Sequence, residues 1–312
     1  MRVNDKFWLV AVLAMAFGFG LGFGGRMVAD WRNTETAVIR IGNARTEVDY
    51  DLAAATEYLA YRLERDGYRV LGTAYKGELY PAAFDGAGVN VFVRGFLPFY
   101  DARMNEAGKN LFYMHRAGEF YEEELRGYDA YIFSQKTVYD KKKTDIHAVF
   151  FGGGAVPHKR LEPAYENDVL YIYEDDQENF AGLLKHNLKA ETFGAVEFAM
   201  LSTAEREAAL KKARVVVYNM MPDGDDADYD EHYVPYAAYD IMSYGRPLVT
   251  NRRAGLENEF GGLVWLYDEG VESRIQALQE AFAVGNDVRE QLAGGAREIL
   301  LAKERAKDKI KW

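Results

Sequence analysis

Short apolar runs alternate with amphipathic stretches along most of the chain, and this alternation predicts strands and helices in turn. Runs typical of buried strands lie at Ala37–Ile41, Tyr68–Leu71, Val89–Val93, Leu111–Met114, Tyr131–Phe133, Ala148–Phe151, Val169–Tyr173, Val215–Met220, Pro247–Thr250 and Leu263–Leu266. Stretches with helical periodicity lie at Leu52–Arg65, Glu119–Arg126, Gln135–Lys142, Gln177–Lys185, Thr203–Ala213, Tyr236–Tyr244, Val271–Phe282 and Val288–Lys307. Strands that alternate with helices predict an α/β fold with parallel sheets.

One break divides this pattern. Three consecutive glycines at 152–154, followed by Pro157 and Pro163, punctuate a stretch without periodicity, which is typical of a linker. The sequence therefore predicts an N-terminal Rossmann-like lobe over 34–154, a hinge over 155–166 and a C-terminal Rossmann-like lobe over 167–312. Within the first lobe, Asp51 is predicted to cap the first helix and Gly67 to end it.

The beginning of the chain has a different character. The 19 residues Phe7–Gly25 contain no charged side chain. A segment of this length is long enough to form a helix that crosses a bilayer. We expect a single-pass membrane anchor within 1–28; a cleaved signal peptide is the alternative, although no small-x-small cleavage site follows the apolar run. Basic residues after this run favour a body on the cytoplasmic side of the cell membrane, and the extracytoplasmic side stays open. They are Arg26, Arg32, Arg40 and Arg45, against Arg2 and Lys6 before the run.

Composition excludes several classes of function. The formal net charge of −11 argues against a nucleic-acid-binding protein, which needs a basic face. The chain has no cysteine, so disulfides, thiolate metal sites and cysteine nucleophiles are excluded. A loop with five aspartates between Asp223 and Asp230 lacks the glycine and glutamate positions of a calcium-binding loop, and we predict no metal site.

The most specific motif follows the strand predicted at Val215–Met220. It reads Asp240-Ile-Met-Ser-Tyr-Gly245-Arg-Pro247-Leu-Val-Thr250 and is followed by Ala254-Gly-Leu-Glu-Asn-Glu-Phe-Gly261. Both segments resemble glycosyltransferases of the two-lobed GT-B class, especially the CgeB/YkvP-like group of spore-protein glycosyltransferases. The resemblance covers roughly residues 168–301. In the first lobe only Asp129–Gln135 is similar to a strand of that family.

The resemblance implies a function and assigns one substrate to each lobe. A nucleotide-sugar donor would bind the C-terminal lobe as substrate, and a glycan or lipid-linked hydroxyl acceptor would bind the N-terminal lobe. Asp240 would accept hydrogen bonds from the ribose hydroxyls, and Gly245 would allow the tight exit from the helix. GT-B enzymes stabilise the leaving diphosphate with protein groups, so no cofactor and no metal is expected.

Further candidates are histidines and basic residues near predicted strand ends and in the predicted hinge. His115 could remove a proton from the acceptor hydroxyl as a general base, and structural hydrogen bonding is its alternative role. Candidate phosphate-binding residues are Arg116, His158, Lys159 and Arg160, and further donor-binding candidates are Arg252 and Arg253. For all of these basic residues, simple solvation or helix capping is the alternative.

The sequence departs from the family pattern at two places. Glu174-Asp175-Asp176 stands where the family carries a glycine-containing loop facing the diphosphate, and Ala237 replaces an arginine. The first hypothesis is a glycosyltransferase of envelope polysaccharide or glycoconjugate synthesis. The second is a membrane-attached GT-B relative without catalytic activity, which would bind or assemble components for polysaccharide synthesis or export. A two-lobed periplasmic binding protein would leave the Asp240–Thr250 motif unexplained.

Overall fold

The computed structural model describes residues 35–78, 86–94, 108–115, 127–176, 178–220, 233–268 and 270–312. The predicted membrane anchor, the predicted helix Glu119–Arg126 and the aspartate loop lie outside these residues. Among the residues described, none of the helices combines the length and the apolar character that crossing a membrane requires.

The first half of the described chain forms a six-stranded parallel sheet in the order β2-β1-β3-β4-β5-β6. Its strands are β1 Thr36–Ile41, β2 Arg69–Tyr75, β3 Val89–Arg94, β4 Lys109–Met114, β5 Ala130–Phe133 and β6 Ala148–Phe150. A short 3-10 helix at Arg45–Glu47 and helix α1, Tyr50–Asp66, join β1 to β2, and α2, Lys136–Lys142, joins β5 to β6.

The second half forms a five-stranded parallel sheet in the order β11-β10-β9-β7-β8. Its strands are β7 Asn167–Tyr173, β8 Ala190–Gly194, β9 Ala213–Asn219, β10 Leu248–Asn251 and β11 Trp265–Tyr267. Its helices are α3 Phe180–Asn187, α4 Ala195–Met200, α5 Thr203–Lys212, α6 Tyr236–Ser243, α7 Ala254–Phe260, α8 Val271–Ala283 and α9 Asn286–Ala306.

The apolar runs identified these elements well because parallel strands are covered on both faces and therefore read as continuous apolar segments. The predicted α/β class with parallel sheets is confirmed. Four short elements were not predicted, namely the 3-10 helix Arg45–Glu47, β8, α4 and α7, and the strand predicted at Leu263–Leu266 begins two residues later than expected. Each missed element is at most seven residues long, too short to show a period.

The start of α1 corrects one prediction. Asp49, not Asp51, is the N-cap, and its carboxylate accepts the Leu52 N–H at 2.8 Å. Asp51 lies inside the first turn and is therefore free to contact another part of the molecule. The predicted end of the helix is confirmed, since Gly67 follows it with φ 108°, a left-handed conformation that glycine adopts most easily.

The two halves share a hydrophobic core. Helix α1 packs against α6, and all eight residues of α6 are buried. One continuous apolar cluster contains Val91 of the first sheet, Leu59 of α1 and Val216 of the second sheet. The first turns of α1 and α6 therefore meet in the interior.

The C-terminal helix returns to the first half and is held there by a buried carboxylate. Glu304 of α9 accepts a hydrogen bond from Tyr58 Oη at 2.7 Å, and Arg65 Nη1 lies 3.0 Å from its other oxygen. Lys307 Nζ is 3.1 Å and Arg62 Nη1 is 3.8 Å from the same carboxylate. Burial lowers the pKa of Lys307, whereas Glu304 opposes that effect.

We predict that Glu304→Gln lowers the free energy of unfolding by about 3 kcal/mol, because it leaves buried cations without their counter-charge. Denaturant unfolding of the full chain would measure the change. Glu298→Gln, on the same helix, is the matched control, since that side chain is 67% exposed in its pair with Arg297 and such pairs contribute little. Equal effects of the two changes on the free energy of unfolding would contradict the conclusion that the buried Glu304 carboxylate holds α9 against the first half of the chain.

Gly245 links α6 to β10 with φ 72°, and a Cβ there would lie 3.1 Å from Arg160 Cγ. We predict that Gly245→Ala lowers the free energy of unfolding by about 1–2 kcal/mol, because non-glycine residues are strained in this conformation. Gly194→Ala is the control: Gly194 has φ −62°, and an added Cβ would contact no atom within 4 Å. Thermal unfolding of both variants tests this, and an unchanged melting temperature for Gly245→Ala would refute it.

Candidate functional site

Two adjacent residues at the start of α1 reach across to α6. Tyr50 Oη donates a hydrogen bond to Asp240 Oδ2 at 2.7 Å. The Ala237 N–H donates to Asp51 Oδ1 at 2.9 Å. Ala237 is the second residue of α6, so its N–H is one of the donors that a helix leaves unpaired in its first turn. A carboxylate of the first lobe thus caps a helix of the second lobe.

The Asp51 carboxylate also gathers two side chains around its second oxygen. Tyr233 Oη donates to Oδ2 at 2.7 Å, and His115 Nε2 lies 2.9 Å from the same atom. Asp51 is fully buried. A buried carboxylate is tolerated only when hydrogen bonds compensate for the lost water, and the positive end of the α6 dipole adds to that compensation.

These contacts fix the role of each nitrogen of His115, which lies directly after β4. An ionised carboxylate only accepts hydrogen bonds, so Nε2 must carry the hydrogen that it donates to Asp51. In the neutral imidazole, Nδ1 then keeps its lone pair. Nδ1 has no hydrogen-bond partner among the described residues, and His115 is 1% exposed. Chemically, this lone pair can accept a proton from a hydroxyl group that comes within hydrogen-bond distance of it.

Asp240 is engaged on both oxygens. Besides the Tyr50 hydroxyl, it contacts His158 Nε2 at 2.9 Å from Oδ1. The His158 ring stacks on Tyr244, with ring centroids 4.0 Å apart and planes 6° from parallel. Burial and the charge of Asp240 raise the pKa of Tyr50, so this phenol stays protonated and remains the donor.

A residue that the sequence did not single out, Arg206 of α5, lies beside this cluster. Its Nη2 pairs with Glu57, while its Nη1 is buried without a hydrogen-bond partner among the described residues. Burial lowers the pKa of Arg206, but the charge of Glu57 and its hydrogen bond, together with the charge of Asp240, raise it by more, so the net shift is upward. Arg206 is therefore a permanent cation with an unused N–H donor near Asp240.

Most of the other predicted basic residues lie elsewhere. Arg252 is bound to Glu257 at 2.7 Å and Asp268 at 2.9 Å on the surface. Arg160 contacts Glu290 at 3.4 Å. Lys159 is exposed, Arg253 immediately precedes α7, and Arg116 lies outside the described residues. Thus the structure connects His115, His158 and Asp240 through Tyr50 and Asp51, whereas Arg160 lies beside Gly245 and Arg252 lies on the surface.

The acidic segment after β7 is satisfied by its surroundings. Glu174 accepts a hydrogen bond from Tyr218 Oη at 2.6 Å, and Asp176 accepts the Ala181 N–H at 3.1 Å at the start of α3. These carboxylates therefore have local structural roles. Within the described residues, no group of three or more His, Asp or Glu side chains is arranged to hold a metal ion.

Comparisons with known proteins place the fold. No family model matches the chain, and no curated protein matches it. An alpha-glucosyltransferase in complex with UDP and a 13-mer DNA has a TM-score of 0.56 at 10% identity, covering 86% of this chain and 95% of its own. An alpha-glucosyltransferase with UDP-glucose and DNA has a TM-score of 0.54 at 8% identity, over 86% of this chain and 95% of its own. The sucrose-phosphate synthase of Thermosynechococcus elongatus has a TM-score of 0.50 at 13% identity, covering 86% of this chain and 94% of its own. The chain therefore has the two-lobed GT-B fold of these glycosyltransferases.

Proposed function

We propose that this chain transfers a sugar from a nucleotide-sugar donor to a hydroxyl acceptor. One observation carries the proposal. His115 and Asp240, predicted as site residues in opposite lobes, are joined through the adjacent residues Tyr50 and Asp51. His115 follows the carboxyl end of β4, and α6 follows β9 in the second sheet. In α/β folds, ligands bind at these strand ends.

The second lobe offers groups that suit a nucleotide diphosphate. The Asp240 carboxylate can accept hydrogen bonds from two ribose hydroxyls. Arg206 supplies a buried cation with an N–H that has no partner among the described residues, and the N-terminus of α6 attracts anions. UDP and UDP-glucose, with which two similar structures are in complex, support this donor class. The DNA of those structures is not carried over, because this chain has a net charge of −11.

The first lobe offers the proton acceptor. In the proposed step the acceptor oxygen attacks the anomeric carbon, and the bond from that carbon to the diphosphate oxygen breaks. His115 Nδ1 takes the proton of the acceptor hydroxyl, and the leaving diphosphate takes the bonding electron pair. Asp51 holds the imidazole in the required tautomer, and Arg206 stabilises the negative charge that the leaving group gains.

Donor binding would require α1 to part from α6. In the structure the Tyr50 hydroxyl donates a hydrogen bond to Asp240, and the Asp51 carboxylate accepts one from the Ala237 N–H. A nucleotide that uses either group must replace these contacts, and it shifts the protein to an open state only by binding that state more tightly.

The alternative is a GT-B relative that binds or assembles glycan components without catalysis. The same closed contacts favour it, as do Glu174–Asp176 and Ala237 at positions where the CgeB/YkvP-like pattern has donor-binding groups. We keep that closer family resemblance, the domain limits, the membrane anchor, the cytoplasmic side and the role in envelope polysaccharide or glycoconjugate synthesis as parts of the proposal.

Thermal unfolding of the full chain with UDP, GDP, CMP and dTDP tests the proposal. We predict that one nucleotide raises the melting temperature in proportion to the logarithm of its concentration, because it binds only the folded state. Asp240→Asn, compared with its own nucleotide-free melting temperature, should lose most of the shift. A full shift in Asp240→Asn would remove Asp240 from the donor site, and no shift with any nucleotide would favour the alternative without catalysis.

Tyr50→Phe tests the competition for Asp240. We predict that it lowers stability without nucleotide and strengthens nucleotide binding by roughly tenfold, because a hydrogen bond to a charged group contributes about 1.5–3 kcal/mol. Titration calorimetry would measure the affinity.

The matched control is Tyr58→Phe. It removes the other hydrogen bond that an α1 tyrosine donates to a carboxylate beyond the first lobe, that of Glu304. Stability should fall while nucleotide affinity stays unchanged. Equal gains in affinity for the two variants would show that general loosening, rather than release of Asp240, controls binding.

A further inference from the structure

Three side chains just beyond strands of the first sheet carry buried polar atoms that have no partner among the residues the structure describes. Asn43 follows β1, His115 follows β4 and Gln135 follows β5, and they are 3%, 1% and 2% exposed. Within the described part of the chain, no hydrogen-bond partner exists for Asn43 Oδ1, His115 Nδ1, Gln135 Oε1 or Gln135 Nε2. Buried polar atoms are almost always paired, so each exception calls for an explanation.

These side chains lie along one edge of the sheet. Strands β1, β3, β4 and β5 are consecutive neighbours, and parallel neighbours are about 4.8 Å apart, so the three residues span on the order of 15 Å. Ser134 joins the ends of two of these strands, since its N–H donates to Met114 O at 3.3 Å and its hydroxyl donates to the His115 carbonyl. The relative position of His115 and Gln135 is thereby fixed.

Gln135 is also unusual for its place in the chain. It is the N-cap of α2, a position that favours Ser, Thr, Asp or Asn, and its side chain makes no capping hydrogen bond. The amide is therefore not used to stabilise its own helix. Local structure does not explain why a polar side chain with two unpaired atoms is buried there.

The unpaired atoms define the chemistry of a partner. Asn43 Oδ1, Gln135 Oε1 and the lone pair of His115 Nδ1 are acceptors, and only the Gln135 NH2 group is a donor. A carboxylate or phosphate brings further acceptors and would match only the last of these. Hydroxyl groups match all four, because each hydroxyl both donates and accepts.

We infer that this edge, formed by Asn43, His115 and Gln135, is a subsite for a neutral polyhydroxylated acceptor, such as an uncharged saccharide. Gln135 is the positioning residue that orients the hydroxyl beside His115 Nδ1. The link between this subsite and sugar transfer rests on the proposed function, whereas the binding of an uncharged saccharide does not.

Saturation-transfer NMR on the full chain, in a detergent without a sugar head group, tests the inference. The probes are maltose, methyl β-D-glucoside and methyl β-D-glucuronide, and the two methyl glycosides differ only by a carboxylate at C6. We predict transfer from the protein to maltose and to the glucoside, and about tenfold weaker binding of the glucuronide. No transfer to either neutral probe at about 50 mM, or preference for the glucuronide, would overturn the inference.

Gln135→Met keeps the length of the side chain and removes its polar atoms. We predict that it weakens saccharide binding about tenfold and leaves the melting temperature without ligand equal or higher, because an unpaired buried amide is replaced by an apolar group. Gln276→Met, at an exposed position of α8, is the control and should change neither property. A lower melting temperature with unchanged saccharide binding would show that Gln135 is merely structural.

Nucleotide-dependent thermal shifts measured on the same samples separate the two proposals. If a nucleotide binds but neither neutral saccharide does, the subsite is wrong and the proposed donor site stands. If a saccharide binds through Gln135 but no nucleotide binds, the subsite stands and the proposed transfer reaction fails. The comparison between glucoside and glucuronide needs no variant, so it decides the question even if Gln135→Met does not fold.

Discussion

The closed arrangement of the two lobes depends on one buried carboxylate, that of Asp51. Removing a charged group from water is strongly unfavourable unless donors replace the water. For Asp51 these donors are an imidazole of the first lobe, a tyrosine hydroxyl and a backbone N–H of the second lobe. Because all three must converge on two oxygen atoms, they fix the orientation of His115 and the position of α6 relative to α1.

A second buried carboxylate, that of Glu304, binds side chains in the C-terminal half of α1. Tyr58, Arg62 and Arg65 follow Tyr50 at intervals of eight, twelve and fifteen residues, and these spacings bring them to one side of the helix. All three contact Glu304 of α9. The two ends of α1 therefore differ in function: the Glu304 end holds the C-terminal helix on the first lobe, whereas the Tyr50 end contacts groups suited to a ligand.

Much of this architecture could be predicted from sequence, because buried parallel strands and amphipathic helices leave strong patterns. The sequence singled out Asp240 and Gly245 as candidates for a similar reason, since their motif is local. Asp51 was misread because Asp49 and Asp51 are chemically alike and both stand near a helix start. Its partner Ala237 is 186 residues away, and no local pattern reports such a contact.

Arg206 was missed for a related reason. It lies in Thr203–Lys212, a helix with charged residues on most sides, and such a sequence predicts a solvated surface. Only the structure shows that Glu57 of α1 covers it. Gln135 likewise read as the ordinary first residue of a predicted helix, and its unpaired amide became visible only when the strand ends were placed side by side.

The Asp51 carboxylate binds the N-terminus of α6 in the closed structure. This contact is compatible with the proposed donor site, because a donor phosphate could take the place of the carboxylate. Asp51 is an anion, and a diphosphate is an anion as well. When a donor phosphate replaces the carboxylate, the Ala237 N–H and the helix dipole keep a negative partner. Asp51 can retain His115, because both belong to the first lobe, so the imidazole keeps the tautomer that the proposed reaction requires. The exchange of one anion for another thus conserves the electrostatic balance of α6, and Arg206 is the cation available for the additional phosphate charge.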